Sequence, residues 1–257
     1  MTMNRQCWFS LSVGFAALCL LMWVLPEQSV AASLPAQTSL LTSQPLITNG
    51  SRAVREVALT FDACPAIGFD IGILHVLTET QTPATIFLSG HWMQSHISAT
   101  QLLASIPYFE LGDHSWDHAD FSRLSAARIA QELTRTEQLL TQLTGRTGTL
   151  FRFPYGAYSS AAIQEVYDSG LTPIQWDVVS GDPSPGRSAR SMITRVISQT
   201  RNGSIIIMHI NGRGWHTAEA LPTIIAKLRE QGYELVTVSQ LLADRAWRRR
   251  EAQLSGP

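Results

Sequence analysis

Val57-Ala58-Leu59-Thr60-Phe61-Asp62 is a strand-like run that stops on a carboxylate. A buried strand gains no packing from a terminal aspartate, whereas the ends of parallel strands are where barrel enzymes keep their reactive groups. The pattern recurs downstream. Tyr108-Phe109-Glu110-Leu111-Gly112 leads to His114 and His118, residues 149–151 lead to Arg152, and Ile205-Ile206-Ile207-Met208 leads to His209. Repeated polar strand ends of this kind mark an enzyme rather than a generic globular domain.

Helix-like segments separate these runs. Leu74 and Leu77 lie in the first, and residues 91–106 form the second. Ser125 reads as an N-cap, opening a helix with Ile129, Leu133, Leu140 and Leu143 that stops at Gly145. Further helices run through Ile163 and Val166 to Gly170, over residues 188–200, and over residues 217–231. Strands are expected at residues 84–88, 171–178 and 233–238. Strict alternation implies a parallel α/β sheet with crossover helices. Six or seven such units fit a closed barrel, an incomplete one, or an open doubly wound sheet. Ile205-Ile206-Ile207 is apolar on both faces, as a strand covered on each side should be.

At 257 residues, 45% apolar and 15% charged, the chain holds one sizeable globular domain. A formal net charge of −1 gives nucleic-acid binding no support. Arg5 precedes an almost uncharged apolar stretch over residues 8–25, and Val30, Ala31 and Ala32 suit a signal-peptidase site. Residues 1–32 are therefore expected to be a signal peptide, with an uncleaved membrane anchor as the rival reading. Either way the product is exported: periplasmic, secreted or membrane-anchored. Residues 33–52 read as a linker, 53–243 as the single domain, and 244–257 as a basic tail carrying Arg245, Arg248, Arg249 and Arg250. Cys7 and Cys19 fall in the export segment, so Cys64 alone remains in the mature chain and forms no internal disulfide.

His114 and His118, four apart, put two imidazoles on one side of a helical turn, within reach of one metal ion. Asp62 could act as a base on water or merely cap a turn, and Arg152 could hold a carboxylate in its charged state. His209 is a candidate general acid. In this order the motifs resemble the polysaccharide deacetylase family (the NodB-homology domain, carbohydrate esterase family four). Thr60-Phe61-Asp62 resembles its first motif, whose leading aspartate is the base. His114-Ser115-X-X-His118 is similar to the second, which supplies metal ligands. Arg152-Phe153-Pro154-Tyr155 resembles the third, and Trp176-Asp177-Val178-Val179-Ser180-Gly181-Asp182 the fourth. Ile207-Met208-His209 resembles the fifth.

The resemblance implies a distorted (β/α)7 barrel-like fold and a hydrolase that removes acetyl groups from an acetylated glycan. It implies a divalent metal, expected to be Zn2+, on His114 and His118, and Asp62 as base, oriented by Arg152. His209 would be the acid, tuned by Asp182, with the Tyr155 backbone N–H on the oxyanion and Trp176 against substrate. The match breaks at Ala63, where most members carry a second aspartate that ligates the metal. Asp113, Asp117 or Asp70 could supply the missing oxygen; a site of two histidines completed by water is the preferred expectation. Pro183 stands where an aromatic residue usually walls the acetyl pocket, and Val179 replaces a polar residue. An O-acetyl esterase, a metal-free hydrolase of cyclic amides and an inactive glycan-binding protein are the alternatives. For the last, Trp92, Trp116, Trp176 and Trp215 would offer stacking faces, at least two of them being expected in the core.

Overall fold

A computed structural model of the chain describes residues 45–64 and 68–243. The expected export segment, most of the linker and the basic tail lie outside the described residues. Parallel strands and helices alternate as β1 (Glu56–Ala63), α1 (Ile71–Glu79), β2 (Ala84–Leu88), α2 (Gly90–Ser95), α3 (Ile97–Ser105) and β3 (Phe109–Asp113). They continue through α4 (Ala126–Thr144), β4 (Leu150–Phe151), α5 (Ser160–Asp168), β5 (Thr172–Pro173) and β6 (Val178–Val179). The series closes with α6 (Ala189–Gln199), β7 (Ile205–His209), α7 (Thr217–Glu230) and β8 (Glu234–Leu235). Helix ends follow the sequence signals. Ser125 caps α4 by accepting from the Arg128 N–H, and Gly145 ends it at φ 69°, a left-handed conformation that costs glycine little.

The strand order is β5-β4-β3-β2-β1-β7-β6, with β8 pairing the start of β1. β5 and β6 form opposite edges, yet only residues 174–177 separate them in the chain. That connection reaches at most about 18 Å, so the sheet must curl until its edges approach. The seam is bridged by the segment before β1: the Gln175 N–H donates to the Ile47 carbonyl at 2.7 Å, and Asn49 bridges Ser204. The result is a distorted (β/α)7 barrel-like fold of one domain. The open doubly wound alternative is excluded.

Two expected elements divide. Residues 91–106 form two helices because His96 leaves helical geometry at φ −133°, its ring stacked on Trp92 and its Nδ1 against the Trp92 carbonyl. Residues 171–178 form β5 and β6, on different neighbours, because this run crosses the seam. Between them the Asp177 carboxylate accepts from the Ile205 N–H.

Side-chain alternation sorts the strands into two layers. On β1, Val57, Leu59, Phe61 and Ala63 pack outward with Ile206 and Met208 of β7 and with the helices. Ala58 points inward, packed with Phe87, Ile205 and Val236 at the barrel floor. Thr60 and Asp62 follow on the same inner face. Thus β1 carries its polar residues up the barrel axis, and the uppermost emerges at the C-terminal end of the sheet.

Candidate active site

Asp62 and His209 end adjacent strands and are register partners across the β1–β7 ladder. Parallel pairing with inward-facing even positions on β1 and odd positions on β7 makes the two side chains converge. Arg152, fully buried, rises from the end of β4 and donates through Nη1 to Asp62 Oδ1 at 2.8 Å and to Thr60 Oγ1 at 2.8 Å. Its guanidinium lies 4.1 Å from the centre of the Phe87 ring. Burial pushes the Asp62 carboxyl up, but Arg152, then His114 and His209, outweigh it and hold it below the usual carboxylate range. Asp62 is therefore a charged acceptor at neutral pH.

Behind His209 sits Asp182. Its Oδ1 meets His209 Nδ1 at 3.0 Å, and its Oδ2 accepts from the His209 N–H at 2.6 Å and the Thr217 hydroxyl at 3.0 Å. Burial works against a charged His209, yet Asp182 and Cys64 raise its pKa to about 10. The imidazole therefore carries a proton it can give away. Asp177, the other carboxylate of this segment, serves structure instead, paired with Arg52 at 2.6 Å.

His114 and His118 lie in the loop after β3. The Arg152 carbonyl is 2.9 Å from His114 Nδ1. A carbonyl only accepts, so Nδ1 carries a hydrogen and Nε2 is the nitrogen turned toward the cleft. Nε2 lies 3.7 Å from Asp62 Oδ2 and 3.9 Å from Cys64 Sγ. The His118 ring meets that of His114 edge-on at 4.9 Å, and that of Tyr155 at 4.4 Å. Ser115, His118 and Tyr155 all hold positive φ, at 64°, 58° and 58°. Each such conformation costs of order 1–3 kcal/mol and persists where surrounding contacts fix it, here around one cleft.

None of the three aspartates weighed as a replacement ligand joins this cluster. Asp113 turns away, its Oδ1 taking the Ser115 N–H at 2.6 Å. Asp117 pairs with Arg128 and with His91, and Asp70 caps α1 through the Gly72 and Ile73 N–H groups. The sequence reading missed Cys64. Its sulfur and the nitrogens of His114 and His118 lie within 4.8 Å of one another, the one group of three donors among the described residues that could hold a metal ion. A third donor thus stands beside the two histidines of the expected site. Burial raises the Cys64 thiol, but hydrogen bonds with His114, His118 and His209 overcome it and bring its pKa to about 4. The signal was present in the sequence, since Cys64 shares the inner face with Asp62 by strand alternation.

These groups line a cavity of about 210 Å³ together with Tyr155, Trp176, Val179, Pro183, Ile207 and Arg213. The two positions that depart from the family's fourth motif, Val179 and Pro183, therefore form part of its wall. Tyr155 is exposed and Trp176 half-buried. Of the other tryptophans, Trp92 and Trp116 are buried and Trp215 is exposed.

Comparison with known proteins places this site in context. A family model described as Polysaccharide deacetylase matches residues 49–174. Peptidoglycan-N-acetylglucosamine deacetylase PgdA of Listeria monocytogenes is 30% identical over 74% of this chain and 40% of its own length. Peptidoglycan-N-acetylmuramic acid deacetylase PdaC of Bacillus subtilis is 32% identical over 72% of this chain and 38% of its own length. The chain thus spans well under half of these two curated relatives. Among solved structures, BA3943 of Bacillus anthracis, described as a CE4 family pseudoenzyme, superposes with a TM-score of 0.71 at 27% identity. The match covers 77% of this chain and 68% of that one. A BA3943 mutant described as having restored enzymatic activity matches equally, at a TM-score of 0.71.

Proposed function

The chain belongs to the polysaccharide deacetylase family, and from that premise we propose that it hydrolyses acetyl groups from an exported carbohydrate, chiefly N-acetyl groups of a cell-envelope glycan such as peptidoglycan. One observation carries the reading: a charged carboxylate and a protonated imidazole stand side by side as register partners at the mouth of one cleft. A base and an acid converging on one cavity are what hydrolysis of an amide requires.

The donor set fits a divalent cation, because His114 Nε2 and its neighbours converge while the Arg152 carbonyl fixes the tautomer. Bound there, the cation, in our reading Zn2+, would supply Lewis acidity at the acetyl carbonyl and acidify the attacking water. Asp62, kept ionised by Arg152, takes the proton of that water. The oxyanion donor the family implies is the backbone N–H of Tyr155, a residue that lines the cavity in a left-handed conformation. His209 delivers its proton to the departing nitrogen, and Asp182 holds Nδ1 so that Nε2 faces the substrate. An amine leaves poorly unless protonated, so an acid this well supported favours amide over ester substrates. Trp176, Val179, Pro183 and Ile207 give the acyl group an apolar wall.

A second reading, a glycan-binding protein without catalysis, draws on the likeness to BA3943 and on Ala63. Against it stand the intact base, acid, arginine and tuning carboxylate, which binding alone does not need. We further propose export through residues 1–32. Acetate release from N-acetylated chitooligosaccharide and peptidoglycan fragments, with added zinc and with chelator, tests the enzymatic reading. Binding without release at every metal tried would leave the binding reading standing.

A further inference from the structure

We propose that the sulfur of Cys64 is the third protein ligand of the metal site, so that this chain exchanges the family's carboxylate at position 63 for a thiolate at position 64. The proposal deepens the deacetylase reading and rests on it. Its starting point is the alternation of β1. Ala63 is fully buried and packs outward with Leu88, Trp92 and the helical layer, so no side chain there aims at the cleft. Cys64 is the next residue on the inner face, two along from Asp62.

Its surroundings are those of a ligand. A free buried cysteine usually behaves as a small hydrophobe among aliphatic neighbours. Cys64 belongs to none of the apolar clusters of the core and lines the cleft among Asp62, His114, His118 and His209. Asn211, fully buried just past β7, holds the Cys64 carbonyl through Nδ2 at 3.2 Å and so anchors the backbone from which the sulfur projects. A tetrahedral zinc with one sulfur and two nitrogens needs a sulfur-to-nitrogen separation of about 3.6 Å. The 3.9 Å between Cys64 Sγ and His114 Nε2 is close to that value.

The exchange has a chemical consequence. Thiolate and carboxylate each bring one negative charge, so the ligand charge lost at Ala63 is recovered. Sulfur is the softer donor, however, and favours Zn2+ and Co2+ over hard ions such as Mg2+ and Mn2+. Three protein ligands with one open position is also the pattern of catalytic zinc.

Cobalt substitution of the purified, reduced protein tests this without recourse to activity. The expected result is a thiolate-to-cobalt charge-transfer band in the near ultraviolet, and one sulfur neighbour in the zinc X-ray absorption spectrum. Cys64→Ser should lose both and bind zinc at least about tenfold more weakly, since disturbing even an outer-sphere partner costs that much. Metal bound to the parent without a sulfur neighbour, or no metal bound at all, overturns the assignment. The spectra of the parent protein decide the matter even where Cys64→Ser fails to fold. A sulfur-bound metal with no acetate release from any glycan would sink the deacetylase reading alone. Acetate release with a sulfur-free metal would sink the ligand assignment alone.

Discussion

Among single residues, the proton of His209 decides the most. Its proton should matter more for an amide, whose nitrogen leaves badly, than for an activated ester. His209→Ala is expected to lose about 10²–10⁴-fold in turnover on N-acetyl glycan and markedly less on an aryl acetate, both read as kcat. Equal losses on the two substrates would remove His209 from the role of acid. Asp182 acts through His209, and removing its charge should be visible in pH behaviour. His209 is raised from 6.5 to about 10, so the stability this pairing contributes is fully present below about pH 6.5 and is lost as pH rises through about 10. The pH-dependent part of the stability difference between the protein and Asp182→Asn should follow that course in thermal melts, and the alkaline limb of activity should move to lower pH in Asp182→Asn. A difference that does not change with pH would contradict the pairing. The strand-end positions of Asp62, Arg152, His114 and His209 were legible in the sequence, because an apolar run interrupted by a polar residue needs no coordinates to be noticed. The role of Cys64 was carried only by strand alternation and was overlooked. Motif alignment directs attention to position 63, whereas the register of β1 directs the inner face to position 64.

At the scale of elements, the same alternation forecasts what restoring the family's residue would do. Ala63→Asp places a carboxylate in the outward apolar layer beside Leu88 and Trp92, with no cation facing it there. An uncompensated buried charge costs roughly 3–5 kcal/mol, so urea denaturation should show a loss of that order. Zinc affinity should be no higher than in the parent. A stable Ala63→Asp protein that binds zinc more tightly would show that the end of β1 turns its side chains differently. Helix caps were readable at Ser125 and Gly145, since capping chemistry is local. The break at His96 was not, because it depends on the ring of His96 stacking on Trp92 while its Nδ1 meets a backbone carbonyl. Nor was the division of residues 171–178, which becomes intelligible only once the two edges of the sheet are known to lie on either side of it.

For the whole molecule, sequence alternation gave the parallel sheet but left its closure open. Closure rests on long-range bridges, Ile47 to Ile174 and Asn49 to Ser204, which carry no local signature. The convergence of the chemistry follows from that curvature, since Asp62, His114, Arg152, Asp182 and His209 come from segments up to 147 positions apart. The export we propose would yield a mature protein beginning at Ser33. Mass spectrometry of the exported product checks it; an uncleaved chain held in the membrane fraction would favour the anchor instead. Removal of acetyl groups by this cleft with the help of a bound cation is checked by acetate release from an N-acetylated glycan. Release should be abolished by chelation, restored by zinc, and lowered by about 10²–10⁴-fold in Asp62→Asn. Release that persists undiminished after chelation, or in Asp62→Asn, would contradict it.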